Sequence, residues 1–199
     1  TIINGNEING NFQSGLREIS ELKQYELFDV IFHSQERLMW RNNNPGDFYT
    51  KNEVNRINID GLLQTELLEN YYNKSLLTLS LFKQEDPIKV EGLNIICIDD
   101  AINQYGKSII TINRSDVTVE RLLLNNENLS KKDGQRTGVH ITDAVNVVLN
   151  DCEISGFMLD GLGYGVVTMN TLNVTLNNTK ISNTRHAVTG RHDNYTTIN

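Results

Sequence analysis

The sequence predicts an all-β fold, a right-handed parallel β-helix, and three observations carry that expectation. One short pattern recurs along the chain at nearly constant intervals. The break inside each copy ends on a residue suited to a left-handed backbone. The composition, with 27 Asn but only Pro45 and Pro87, suits short strands joined by tight corners.

The pattern is apolar-x-apolar, a polar or glycine pair, then apolar-x-apolar. It fits INIDGLLQ from Ile57, IKVEGLNI from Ile88, VTVERLLL from Val117, VVLNDCEI from Val147 and VTLNNTKI from Val174. The intervals are 31, 29, 30 and 27 residues, with Gln64 and Thr179 as imperfect matches. Alternation of period two marks short strands with one buried face. A break that leaves both flanks in phase is a corner rather than a hairpin, provided its second residue is left-handed. That position reads Gly61, Gly92, Arg121, Asp151 and Asn178, and all but Arg121 are types that tolerate it well. A further strand precedes each corner: LTLSLF (77–82), SIITIN (108–113), GVHIT (138–142) and VVTMN (166–170). Each repeat buries its apolar face only by stacking on the next, with rungs ~4.8 Å apart. Leu93, Leu122, Cys152 and Thr179 are expected to form one vertical stack, and Val90, Val119, Leu149 and Leu176 another.

Residues 1–55 follow the pattern poorly and are expected to form an irregular N-terminal region of coils or an anchor. TIINGNEING suits a strand and turn opening a coil. SGLREISEL suits a short helix capped by Ser14, with Leu16, Ile19 and Leu22 on one face, and RNNNPGDFYTKNEVN a loop. Residues 56–199 are expected to be the β-helix, incomplete at its C-terminus. There NYTTIN (194–199) opens another coil's second strand with no polar cap, so the chain is expected to be a piece of a longer protein.

A net charge of −7 with 18 Lys and Arg, and no basic stripe, excludes nucleic acid and anionic membrane as partners. No apolar run is long enough for a transmembrane helix. Cys97 and Cys152 fall at apolar-patterned positions, which predicts reduced, buried thiols without metal spacing. The sequence has no zinc signature, phosphate-cradling glycine loop or nucleophile elbow, so neither metal nor cofactor is expected.

The repeat unit looks like a coil of the pectate-lyase type. Two shorter stretches resemble phage tail proteins. TRHAVTG (184–190) resembles a segment of β-helices in tail spikes and tail-associated proteins from phages of Gram-positive hosts. DFYTKNEVN (47–55) and ENYYNKS (69–75) resemble the repeats of tail fibres and their trimeric stalks, with Asn52 and Asn55 departing from the usual Ser and Asp. A stalk helix over 48–75 would compete with the coil at Ile57. The coil is favoured because its interval continues the series and Gly61 is costly inside a helix. The resemblance implies a homotrimeric virion protein, associated with other tail or baseplate proteins, that binds and often cleaves host surface glycans or teichoic acid.

Function on such a fold lies on outward strand faces and the loops beside them. If Val139 and Ile141 point inward, His140 points outward, flanked by Thr111 and Thr168, as a proton carrier or as an ordinary surface residue. Counting from Ile95, Ile154 and Ile181 brings Asp160 onto the rung beside Arg185 and His186. Asp99 and Asp100 then lie two rungs away, on the order of 10 Å. Carboxylates so separated can serve as acid and base in glycan hydrolysis, or can be solvated loop groups. The densest cluster, RHAVTGRHD, joins Arg185, His186, Arg191, His192 and Asp193. It could receive phosphates or uronic carboxylates, take a proton in a lyase, or lock a loop against the column. Three functions fit: a virion tail segment engaging a host glycopolymer, a secreted bacterial polysaccharide lyase or hydrolase, and a non-catalytic spacer of a tail fibre.

Overall fold

The computed structural model describes residues 1–23, 27–40, 48–98, 108–127, 137–158 and 163–199. The chain is all-β and divides into two compact units, Thr1–Glu85 and Asp86–Asn199. No helix of the described residues is long and apolar enough to cross a membrane.

The first unit is an antiparallel sheet in the order β1-β4-β2-β3, from β1 (Ile2–Asn4), β2 (Phe28–Trp40), β3 (Phe48–Ile57) and β4 (Leu77–Lys83). Val30, Phe32, Leu77 and Leu79 supply one buried face, against which Phe12, Ile19, Leu22, Leu67 and Tyr71 pack. Several sequence expectations change here. Ile57 ends an antiparallel strand instead of opening a coil, and Gly61 (φ 79°) closes a turn onto the Asn58 carbonyl. LTLSLF is β4, paired antiparallel to β2. Residues 48–55 are strand, neither a loop nor a stalk helix. The expected helix from Ser14 reduces to one 3-10 turn at Ser20–Leu22. The division between units therefore falls after residue 85, not 55. The physical reason is that alternation of period two fixes a buried face but not the direction of the partner strand.

The second unit is built from parallel pairs throughout. Its strands are β5 (Ile88–Glu91), β6 (Asn94–Cys97), β7 (Ser108–Ile112), β8 (Val117–Glu120), β9 (Leu123–Asn126), β10 (Thr137–Asn150), β11 (Glu153–Phe157), β12 (Tyr164–Asn177), β13 (Lys180–Thr184), β14 (His186–Asn194) and β15 (Thr197–Ile198). One sheet runs β14-β12-β10-β8-β5, with β7 on β10 and β15 on β12; the other runs β13-β11-β9-β6. The long β10 and β12 each contain two of the expected strands, bent at left-handed Asp143 and Asn146, and at Asn170 and Asn173.

All four corners of this unit are left-handed, including Arg121 at φ 52°. Each corner amide donates to the rung above: Gly92 to Glu120, Arg121 to Asn150, Asp151 to Asn177, Asn178 to Asn199. Val90, Val119, Leu149 and Leu176 stack in register, with Leu149 fully buried. Thr197 and Ile198 take the place expected of the next coil's second strand, opposite Thr175 and Leu176. The abundance of Asn gains a further cause, because side-chain amides bridge successive rungs. Asn173 donates to Asn146, which donates to Asp116. Asn199 donates to Asn177, which donates to Asn150. Both cysteines are free; Cys152 is buried but Cys97 is only partly so, short of the burial expected.

Candidate functional site

The outward positions of β7, β14 and the first halves of β10 and β12 form three rows across the rungs. One row is Ser108, Thr137, Tyr164 and His186. The next is Thr111, His140, Val167 and Thr189, and the third is Thr142, Met169 and Arg191. These side chains are half-buried or exposed, while Val139, Ile141, Val166 and Thr168 between them are buried. Gly138 and Gly165 fix the register: a Cβ on either would press into Ile154 or Ile181 of the facing sheet. Val167 therefore lies beside His140, and Thr168 does not; Thr168 stacks inward on Ile141. The sequence alignment was one residue out because it paired Gly138 with Val166.

No row contains a carboxylate. The Tyr164 and His186 rings stack face to face, 5.6 Å between centroids and 10° from parallel. Burial holds the His140 imidazole below its usual pKa, against the pull of the Asp143 charge. The His140 Nε2 is buried without a hydrogen-bond partner among the described residues. Asp143, at the bend beside this face, accepts from the Thr142 hydroxyl (3.2 Å) and the Asn170 amide (2.9 Å).

The expected residues thus separate into three groups. His140, His186 and Arg191 share the outward face, with Arg185 at its edge between β13 and β14. His192 is left-handed, at the bend, and its Nδ1 lies 3.2 Å from Asn170 Oδ1. Because the Asn170 amide nitrogen already donates to Asp143, its oxygen faces His192, and Nδ1 carries the proton. Asp193 points inward: it accepts from Thr168 (2.7 Å) and Thr171 (2.9 Å), and its carboxylate sits where any Cβ on Gly190 would be. Burial pushes its pKa up, opposed by those hydroxyls and by backbone donors. Asp193 is therefore a tie for the last rung, not a member of the outward rows. Asp99, Asp100 and Asp160 lie outside the described residues. A concavity of about 450 Å³ at the last rung is lined by Thr168, Val188 and Ile198 together with Thr189, Arg191 and Asp193. The sequence reading missed Tyr164 and Met169, although the shared Gly-Val and Ala-Val pairs at 165–166 and 187–188 would align them with His186 and Arg191.

No protein-family model matches the chain, and no curated protein does. Two solved structures share its fold. Tailspike gp61 of Pseudomonas phage phi297 matches with a TM-score of 0.72 at 12% identity, over 99% of this chain and 33% of its own. Tailspike gp49 of Pseudomonas phage LKA1 matches at 0.56 and 16%, over 92% and 30%. The chain thus spans about a third of the tailspikes it matches.

Proposed function

We propose that this chain is a segment of a phage tailspike, carried in the virion, whose outward face over β7, β10, β12 and β14 engages a polysaccharide of the host surface. The observation that carries the reading is the face itself: a stacked aromatic pair beside rows of hydroxyls and an imidazole. A sugar ring presents an apolar C–H surface rimmed by hydroxyls, and it fits flat rings flanked by hydrogen-bonding groups. The tailspike fold supports the same assignment. Crossovers between parallel strands are right-handed in about 98% of cases, which supports a right-handed, pectate-lyase-like β-helix for the second unit. The Gram-positive host rests on the TRHAVTG resemblance.

The test is retention of this chain on an array of bacterial envelope polysaccharides. At least one should be retained, and replacing both Tyr164 and His186 by Ala should weaken it roughly tenfold or more. Retention of none, or retention that survives both changes, would overturn the reading. Depolymerisation is the narrower reading, supported by His140, which burial keeps neutral and so able to accept a proton. It requires new reducing or unsaturated ends, lost in His140→Ala; their absence confines the face to binding. A homotrimer joined to other tail or baseplate proteins completes the proposal. A monodisperse monomer of the full-length protein would favour the secreted enzyme.

A further inference from the structure

We propose that the chain cuts its own backbone at Asp86–Pro87, where a carboxylate, a proline nitrogen and a guanidinium come together at one peptide bond. Asp86 and Pro87 are both exposed, and the bond lies at the division of the chain, where the first compact unit ends at Glu85 and the second begins at Asp86. Arg114, between β7 and β8, donates through Nη2 to the Asp86 carbonyl oxygen at 2.6 Å. The chain just past the bond is held as well. The Ile88 amide, at the start of β5, donates to the Asp116 carbonyl at 2.9 Å. Arg114 and Asp116 belong to one short connection, so the scissile carbonyl and its donor are fixed by the same segment.

Each group has a defined part in the step. An Asp86 carboxylate oxygen attacks the carbonyl carbon of its own residue and closes a small cyclic anhydride; a C–O bond forms and the C–N bond to Pro87 breaks. Charge gathers on the carbonyl oxygen as the carbon becomes tetrahedral, and the Arg114 guanidinium is already bonded to that oxygen. The Pro87 nitrogen belongs to a tertiary amide and carries no hydrogen. It leaves with the bonding pair and takes a proton from solvent, so acid favours its departure. Water then opens the anhydride, which restores the Asp86 side-chain carboxyl and leaves a second carboxyl as the new chain end. The sum is hydrolysis of one peptide bond by water, with nothing oxidised or reduced. The products are residues 1–86 and 87–199, so a single cut parts the two compact units covalently. The step uses no residue of the sugar-binding face.

The experiment incubates the intact chain in mildly acidic buffer, folded and in urea, and follows fragments by mass spectrometry and N-terminal sequencing. Two fragments should accumulate, the second beginning at Pro87, and the folded chain should be cut faster than the unfolded one. Arg114→Ala should slow the folded chain roughly tenfold and leave the unfolded chain unchanged, because the guanidinium reaches the carbonyl only in the fold. Asp86→Ala removes the nucleophile, and Pro87→Ala turns the leaving group into an ordinary secondary amide. Both positions are exposed, so these variants should fold and stay whole. A folded chain that stays whole, is cut only elsewhere, or is cut no faster than in urea would overturn the proposal. Cutting that survives Asp86→Ala, or a folded Arg114→Ala chain cut as fast as the wild type, would do the same.

Discussion

In the first unit, charged side chains are buried as partners. Asp29 receives Arg56 through two guanidinium nitrogens, and Glu53, 1% exposed, accepts the Leu68 and Glu69 amides and the Tyr71 hydroxyl. In the second unit, ladders of neutral amides run between rungs, and Asp116, Asp143 and Asp151 each accept from an asparagine amide at the matching position one repeat away. Strand direction explains the difference. Parallel rungs bring like residues together, and an amide can donate to its copy while a carboxylate would meet its copy's charge. Antiparallel pairing brings unlike residues together, so opposite charges can be matched.

The contrast is tested most strongly by removing one partner of the buried pair. Arg56→Ala leaves the Asp29 carboxylate, 7% exposed, without its cation and should cost about 3–5 kcal/mol. Hydrogen exchange should rise across β2 and β3 and stay unchanged in β10. Arg121→Ala, in the exposed pairs of the second unit, should cost under about 1 kcal/mol. Similar losses for both would break the distinction.

Next in size is the parallel core. Leu149→Ala should destabilise by about 2–5 kcal/mol, since Leu149 is fully buried between Val119 and Leu176. Val148→Ala, on the opposite face of the same strand, should cost much less in the same denaturation measurement. Equal effects would mean that the inward assignment of β10 is wrong.

These two variants also mark how far the sequence was readable. The stack through Leu149 was legible because four copies of the pattern recur, and recurrence at 27–30 residues selects parallel stacking. Ile57 carries the same alternation at a similar interval, yet its true partner is Phe28, which belongs to no repeat. A single copy of a period-two pattern contains no information on partner direction. At the site, His140, His186 and Arg191 were legible as outward or clustered residues. Tyr164 was not, because its pairing with His186 crosses a shorter, 22-residue interval that the earlier repeats do not announce. Asp193 could not be turned inward from sequence, since that depends on the space left by Gly190.

The amide ladders sharpen the comparison at a smaller scale. Asn177 donates to Asn150 at 2.9 Å and accepts from Asn199 at 2.7 Å. Asn177→Ala should cost ~0.5–1.5 kcal/mol per bond lost, at the low end because these groups are partly solvated. Asn177→Asp should cost more than Ala, because a carboxylate oxygen would face the Asn150 carbonyl oxygen. If Asp is tolerated better than Ala, the ladder is not oriented as described.

The smallest effect concerns Asp193, where the second unit places a carboxylate inward without a matched cation among the hydrogen bonds described. Burial raises its pKa, and the Thr168 and Thr171 hydroxyls only partly offset that. A carboxyl whose folded pKa is raised favours the folded state while protonated and loses that contribution as pH rises through its folded pKa. Asp193→Asn keeps an oxygen acceptor but cannot ionise. Thermal unfolding of the two proteins should therefore agree at acid pH. The variant should gain on the wild type as pH rises through the carboxylate range and hold a small, constant advantage above it. The sign decides the matter. If the wild type gains instead, the carboxylate is stabilised by charge after all, and the two units bury acids by the same rule.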